Sequence, residues 1–354
     1  MTDSGSDNLR KGNREMSLVP CYRAAHLRPY LDLLRDTGAP LERGLRMAGL
    51  PTLVAGGADI YLPQLPTFRF INNMVRQEGI DELPLRARGK LQFSDLSEQF
   101  LARASCAPTL KAALESFRDL APVEDPQVEF WISHSDTRVK LCMLNHFPLN
   151  AQDQYFEDWN ELLVMAAIVR AFTEPAWQPT EMAFRSTVMP GRYVSEQFPN
   201  TRFRTGQKAV WITVPSELLS LPLRVTPDVG RSHANLAATS PITVDLKPNV
   251  SSSLKTVLSA YLPEQLPGIE FAAEIAATSV RTLQRRLKEN ALTYSDLIGE
   301  IRFEAAARLL RETDATALEI ALEVGYEDPS HFSRAFKRIA GISPREYRRQ
   351  QRLH

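Results

Sequence analysis

Gly325-Tyr326-Glu327-Asp328-Pro329-Ser330-His331-Phe332-Ser333-Arg334-Ala335-Phe336-Lys337-Arg338 is the stretch on which the reading of this chain turns. Asp328 is a helix-capping residue and Pro329 suits the first helical position, so a helix is expected to begin directly after a glycine turn. Phe332 and Phe336 stand at i and i+4 and share an inward stripe, leaving Ser330, His331, Ser333 and Arg334 outside. The plan recurs upstream. Leu283-Gln284-Arg285-Arg286-Leu287 matches Phe332 to Phe336 at a shift of 49, and Ala273 matches Ala321 at a shift of 48. Ser279 stands as the cap of that earlier helix. In each copy a short helix with a small residue, which lets two helices cross closely, precedes a tight turn and a second helix. The first copy leaves Arg281, Thr282, Gln284 and Arg285 on its outer face.

Local charge matches this pattern. Ser279 to Glu289 holds four basic residues and one acid, Ser330 to Arg352 holds seven and one, and Glu312 to Asp328 between them holds six acids and no Lys or Arg. One face can therefore meet phosphate while another repels it. Arg345, Arg348, Arg349 and Arg352 form a guanidinium row at helical spacing on the last helix; alone, such a row would read as a solvated face. Arg286, Lys288, Lys337, Arg338, Arg345, Arg348 and Arg349 are the expected phosphate contacts.

Together with Gly341-Ile342-Ser343-Pro344 and Tyr347-Arg348, the opening stretch resembles the signature of the AraC/XylS family of bacterial transcription regulators, over roughly the last hundred residues. The resemblance implies two helix-turn-helix units joined by one long helix, Tyr294 to Leu310, entering successive major grooves of double-stranded DNA. It carries the base-reading positions onto Arg281, Thr282, Gln284, Arg285, Ser330, His331, Ser333 and Arg334. Ala277 and Ala291 depart from the family by standing where many members have glycine, and Asn290 is then expected to supply the left-handed cap. The front part is similar, more weakly, to the arabinose-binding-like domain found in a subset of that family, through Pro108 to Leu114, Tyr193 to Phe203 and Lys208 to Leu223. That likeness implies a small-molecule effector, a homodimer, or both, and names no sugar. RNA polymerase is a further candidate partner.

Working outward, residues 230–253 have a linker composition and residues 1–17 that of a disordered tail. Residues 18–229 read as the sensing domain and 254–354 as the DNA-binding domain. From Tyr22 to about Leu120 the apolar spacing is helical. It switches to a period of two at Val128, Phe130 and Ile132, and Thr137 to Leu144 returns as the second arm of a hairpin. Tyr155 to Phe172 reads as a core helix, and Glu181 to Phe184, Arg202 to Arg204 and Ala209 to Val214 as short strands. The expected fold is an α+β amino-terminal domain with a small antiparallel sheet, followed by an all-α domain of two helix-turn-helix units joined by a long helix. Phe130, Trp131, Trp159 and Trp211 are the candidate effector pocket, with ordinary core aromatics as the competing reading.

Composition narrows the rest. At 354 residues the chain exceeds what one hydrophobic core serves, and 42 Lys+Arg against 42 Asp+Glu exclude binding by bulk charge alone. The longest apolar run, Leu162 to Val169, is too short to span a membrane, and no signal-peptide segment opens the chain, so a cytoplasmic, nucleoid-associated location is expected. Cys21, Cys106 and Cys142 are scattered and read as buried free thiols. No phosphate loop, H-E-x-x-H or G-x-S-x-G motif occurs, so neither catalytic nor metal-ligating residues nor a cofactor are expected. The isolated acids read as members of solvent-facing salt bridges. A methyl-accepting repair protein would need a cysteine cluster. An architectural DNA-binding protein, or a regulator governed by protein partners without a ligand, is the remaining alternative.

Overall fold

A computed structural model describes residues 18–80, 82–87, 91–135, 137–224 and 249–351. The tail and most of the linker lie outside the described residues. The chain divides into two compact units, Pro20–Thr243, and Met1–Val19 with Val244–His354.

In the first unit, β1 (Cys21–Arg23) pairs antiparallel with β2 (Tyr61–Pro63), and α1 (Arg28–Asp36) and α2 (Leu41–Ala48) lie between them in sequence. Both strands fall inside the stretch read as helical. Three residues are too few for a period of two to show, and Pro20 and Pro63 limit their length. Helices α3 (Gln64–Glu78), α4 (Leu83–Ala87), α5 (Glu98–Ser105) and α6 (Leu110–Glu124) follow. The hairpin of β3 (Val128–His134) and β4 (Arg138–Asn145) pairs Phe130 with Met143 and Trp131 with Cys142. After α7 (Ala151–Phe172) come β5 (Glu181–Ala183), α8 (Arg192–Gln197), β6 (Arg202–Arg204) and β7 (Val210–Pro215).

The five strands run in the order β3-β4-β7-β5-β6. All pairs are antiparallel except β5 with β6, which are parallel because α8 carries the chain back before β6 starts. Helix α7 begins four residues before its expected start, where the Asn150 side chain accepts the N–H groups of Gln152 and Asp153. It is buried nearly all round, with Trp159, Leu162, Met165, Ile168 and Val169 almost fully enclosed. Cys21 and Cys142 are buried, whereas Cys106, expected inside, is exposed just past the end of α5.

The second unit contains, among the described residues, helices only: α9 (Val250–Ser259), α10 (Ile269–Ile275), α11 (Val280–Glu289), α12 (Tyr294–Glu312), α13 (Ala317–Glu323), α14 (Pro329–Ala340) and α15 (Pro344–Gln351). The linker reading to residue 253 runs too far. Asn249 accepts the Ser252 N–H and the Ser252 hydroxyl oxygen accepts the Asn249 N–H, so the serines that suggested a linker close a capping box on α9. Val19 belongs with this unit, its N–H donating to Ser253 Oγ at 3.0 Å.

The two copies of the repeat share their turn chemistry. The Thr278 N–H reaches the Ala273 carbonyl at 3.0 Å, and the Tyr326 N–H reaches the Ala321 carbonyl at 2.8 Å. Between each donor and its helix stands one left-handed residue, Ala277 (φ 48°) or Gly325 (φ 79°). Helix α11 also ends on a left-handed alanine, Ala291 (φ 56°). Asn290 (φ −99°) is not left-handed, because its side chain instead donates to the Arg286 carbonyl and leaves the chain reversal to the next residue. A left-handed L-residue costs about 1–2 kcal/mol, of which glycine returns part through its freer unfolded chain. Ala277→Gly and Ala291→Gly are therefore each expected to stabilise this unit by about 0.5–1 kcal/mol. Urea unfolding followed at 222 nm checks this, and a loss of stability in both variants would refute it.

Candidate nucleic-acid interface

The outer faces of α11 and α14 are set by what their inner faces bury. Leu283 and Leu287 on α11 are fully enclosed, and Phe332 and Phe336 on α14 nearly so. The Phe336 ring packs 4.9 Å from Phe303 of α12 and 5.3 Å from Tyr347 of α15, centroid to centroid. Rotation of either helix would expose this apolar area, so the opposite face is fixed outward.

The start of each helix is fixed as firmly. Ser279 Oγ accepts the Thr282 N–H at 3.2 Å, and Asp328 Oδ1 accepts the Ser330 N–H at 2.8 Å with Pro329 in the first turn. The Ser330 N–H holds the Asp328 carboxyl below its ordinary range. Arg281, Gln284, Arg285, Ser330, His331 and Arg334 are exposed; Thr282 and Ser333 are half-buried. The Thr282 hydroxyl lies 3.0 Å from Ser279 Oγ, which ties it to the cap. Arg285 rests against Glu289 at 2.6 Å, both half-exposed, a surface pair that costs little to break.

Of the expected phosphate contacts, Lys288, Lys337, Arg338, Arg345 and Arg349 are exposed and Arg286 is half-buried. Arg348 is a correction. Its Nε donates to the Leu310 carbonyl at 3.2 Å and its Nη2 to the Ala315 carbonyl, so the guanidinium satisfies backbone oxygens near the end of α12 instead of facing solvent. Arg352 lies outside the described residues, so Arg345 and Arg349 are what remains of the row.

The four-aromatic pocket does not form. Trp131 and Trp211 sit with Cys142 and Ala183 on one face of the sheet, whereas Phe130 packs 5.1 Å from Phe117 on the other. Alternation along a strand places neighbours 130 and 131 on opposite faces, which separates the four. Trp159 is fully buried against Phe184 and Phe198.

A cavity of about 30 Å³ lies elsewhere in the first unit, between α6, α7, β1 and the hairpin. Tyr22, His26, Glu124, Asp125, Glu157 and Glu161 bring its polar groups. Glu124 is neutralised. Arg23 donates to Oε2 at 2.8 Å, His26 Nε2 lies 3.0 Å from the same atom, and the Ser97 N–H meets Oε1 at 2.6 Å. Burial opposes its ionisation, but Arg23 and His26 outweigh burial and hold it well below the ordinary range. Asp125 accepts from Gln64 and Asn145, and Asn145 also donates to Glu157 Oε1. Burial, then the Glu157 carboxylate, pushes Asp125 well up; burial, then Glu157 and Asp158, does the same to Glu161. Burial raises Asp158 to about 6. These acids do not face solvent as expected. Acids at 157, 158 and 161 inside the helix that carries the longest apolar run, Leu162 to Val169, are the signal that could have found them.

A raised carboxyl contributes stability below its unfolded value and loses it as pH rises through the folded value. The first unit is accordingly expected to melt higher at about pH 5 than at about pH 8. All four tryptophans, Trp131, Trp159, Trp177 and Trp211, lie in this unit, so their fluorescence reads it alone. A midpoint that rises toward pH 8 would contradict the burial of these carboxyls.

Comparison with known proteins agrees with this geometry. A family model described as "Helix-turn-helix domain" matches residues 272–350. The ornithine utilization regulator of Pseudomonas aeruginosa is 31% identical over 139 residues, 39% of this chain and 41% of its own length. The HTH-type transcriptional regulator VirS of Mycobacterium tuberculosis is 23% identical over 335 residues, 94% of this chain and 98% of its own. The HTH-type transcriptional activator RhaS of an Enterobacter species is 40% identical over 80 residues, 22% of this chain and 29% of its own. The match thus spans about two fifths of the first of these relatives and less of the last. Residues 272–350 thus match a helix-turn-helix domain, and the relatives are transcription regulators by name. Among the described residues no helix is long and apolar enough to cross a membrane.

Proposed function

We propose that this chain is a sequence-specific transcription regulator that binds double-stranded DNA as a homodimer through α11 and α14, and whose amino-terminal unit senses a small molecule. The observation that carries the reading is the pair of capped helices, each locked by an apolar i, i+4 pair and each presenting a polar, basic outer face. Helix α12 joins them over 19 residues, about 28 Å of rise, which is close to the ~34 Å turn of B-DNA.

Arg285 and Arg334 are suited to bidentate contact with guanine and Gln284 to adenine, while Arg281, Thr282, Ser330, His331 and Ser333 complete the reading faces. Arg286, Lys288, Lys337, Arg338, Arg345 and Arg349 supply the phosphate contacts that dominate affinity. The cavity beside α7 favours an effector over the architectural reading, since buried acids outside any ion pair are costly unless something answers them.

Fluorescence anisotropy of the full chain on DNA upstream of its own and neighbouring genes, against shuffled DNA, tests the reading. Preference for one upstream site on the order of 10³-fold is expected. Equal affinity for both would overturn it.

A further inference from the structure

Resting on the effector reading just given, we propose that the α6–α7 cavity binds the protonated amine of a small molecule, with Glu161 as its principal anion and Glu157, Asp125 and the Tyr22 hydroxyl around it. Glu161 is only 3% exposed, yet neither of its carboxylate oxygens has a hydrogen-bond partner. Glu157 Oε2 is likewise unpartnered and buried in the same cavity. Three acceptor oxygens thus wait without donors, and an ammonium group brings three N–H donors on one atom.

Charge selects among ligands. Glu124 already has Arg23 and His26, but among the described residues no Lys, Arg or His forms an ion pair with Asp125, Glu157 or Glu161. An anion would be repelled, and a neutral polyol would satisfy oxygens without offsetting the cost of three buried acids. A cation does both. No three of the described His, Cys, Asp and Glu converge to hold a metal ion, which disfavours a divalent metal. The apolar wall of Phe117, Val128, Met143 and Val164 and a volume of about 30 Å³ suit no more than a methyl group behind the ammonium.

The probe is methylammonium chloride added to the full chain near pH 7, with methanol and sodium formate as controls at equal ionic strength. Tryptophan fluorescence follows the melting of the amino-terminal unit. The amine should raise the midpoint saturably and the controls should not. Glu161→Gln should weaken amine binding about thirtyfold or more, and Glu157→Gln should weaken it to a lesser degree. Without amine, Glu161→Gln should melt at or above the unmodified chain, because it replaces a buried carboxyl whose ionisation burial and Glu157 already oppose; this separates loss of binding from loss of fold. The inference is overturned if the amine gives no shift, if methanol shifts the midpoint as far, or if Glu161→Gln keeps the amine response. Anisotropy on the same upstream DNA separates the two readings. Amine binding that leaves DNA affinity unchanged supports the cavity assignment and removes the effector role. DNA affinity that responds to another metabolite, with no amine shift, does the reverse.

Discussion

Arg23→Ala is expected to destabilise the amino-terminal unit by about 3–5 kcal/mol, because it removes the cation from two carboxylates at once. Its guanidinium donates to Glu124 and to Asp59, with the Arg23 and Glu124 side chains 7% and 4% exposed. Glu124 closes α6, where the helix dipole already disfavours a negative charge, so only His26 and the Ser97 N–H are left to answer it. The sign of the pH effect follows. With Arg23 present, the depressed Glu124 carboxyl contributes stability above its unfolded value and loses it only well below. Without Arg23, the largest of the groups opposing burial, the carboxyl is expected to rise despite His26 and the Ser97 N–H, and its penalty to grow as pH rises. The deficit of the variant should therefore be larger at about pH 7 than at about pH 4.5. Tryptophan-monitored denaturation at the two values checks this, and a deficit independent of pH would show that Arg23 acts through packing alone.

Phe336→Ala should cost the carboxy-terminal unit about 3–5 kcal/mol. The ring touches Phe303, Phe332 and Tyr347, so its loss opens a cavity where α12, α14 and α15 meet. Against a typical domain stability of about 5–15 kcal/mol, that is enough to leave α14 poorly anchored and to abolish specific DNA binding. The loss should appear in ellipticity at 222 nm and leave the tryptophan transition in place, since no tryptophan lies in this unit. A variant that retains full DNA affinity would mean that α14 does not depend on this core.

How much of this is legible in the sequence differs between the two units. Helices α11 and α14 declare themselves because cap, proline, apolar pair and turn residue all act within fifteen residues, and each determines one local bond. The copies also check each other. What escaped there depends on contacts outside the repeat: Arg348 is drawn to carbonyls of Leu310 and Ala315, more than thirty positions away. In the first unit the hairpin is legible from its alternation, but the sheet keeps neighbouring aromatics such as Phe130 and Trp131 on opposite faces. The acids of α7 read as solvent-facing because isolated carboxylates usually are. Their burial follows from the packing of α4, α6 and β7 against that helix, which no local pattern encodes.

The central claim, that the exposed faces of α11 and α14 read duplex DNA, is tested most directly by comparing Arg334→Ala with Arg349→Ala on one operator and its single-base variants across a salt series. Arg334→Ala should cost about 1–3 kcal/mol and relax preference at one base step, whereas Arg349→Ala should weaken all sequences alike and lower the salt slope by about one. Uniform loss of affinity in both variants, with base preference intact, would contradict the claim.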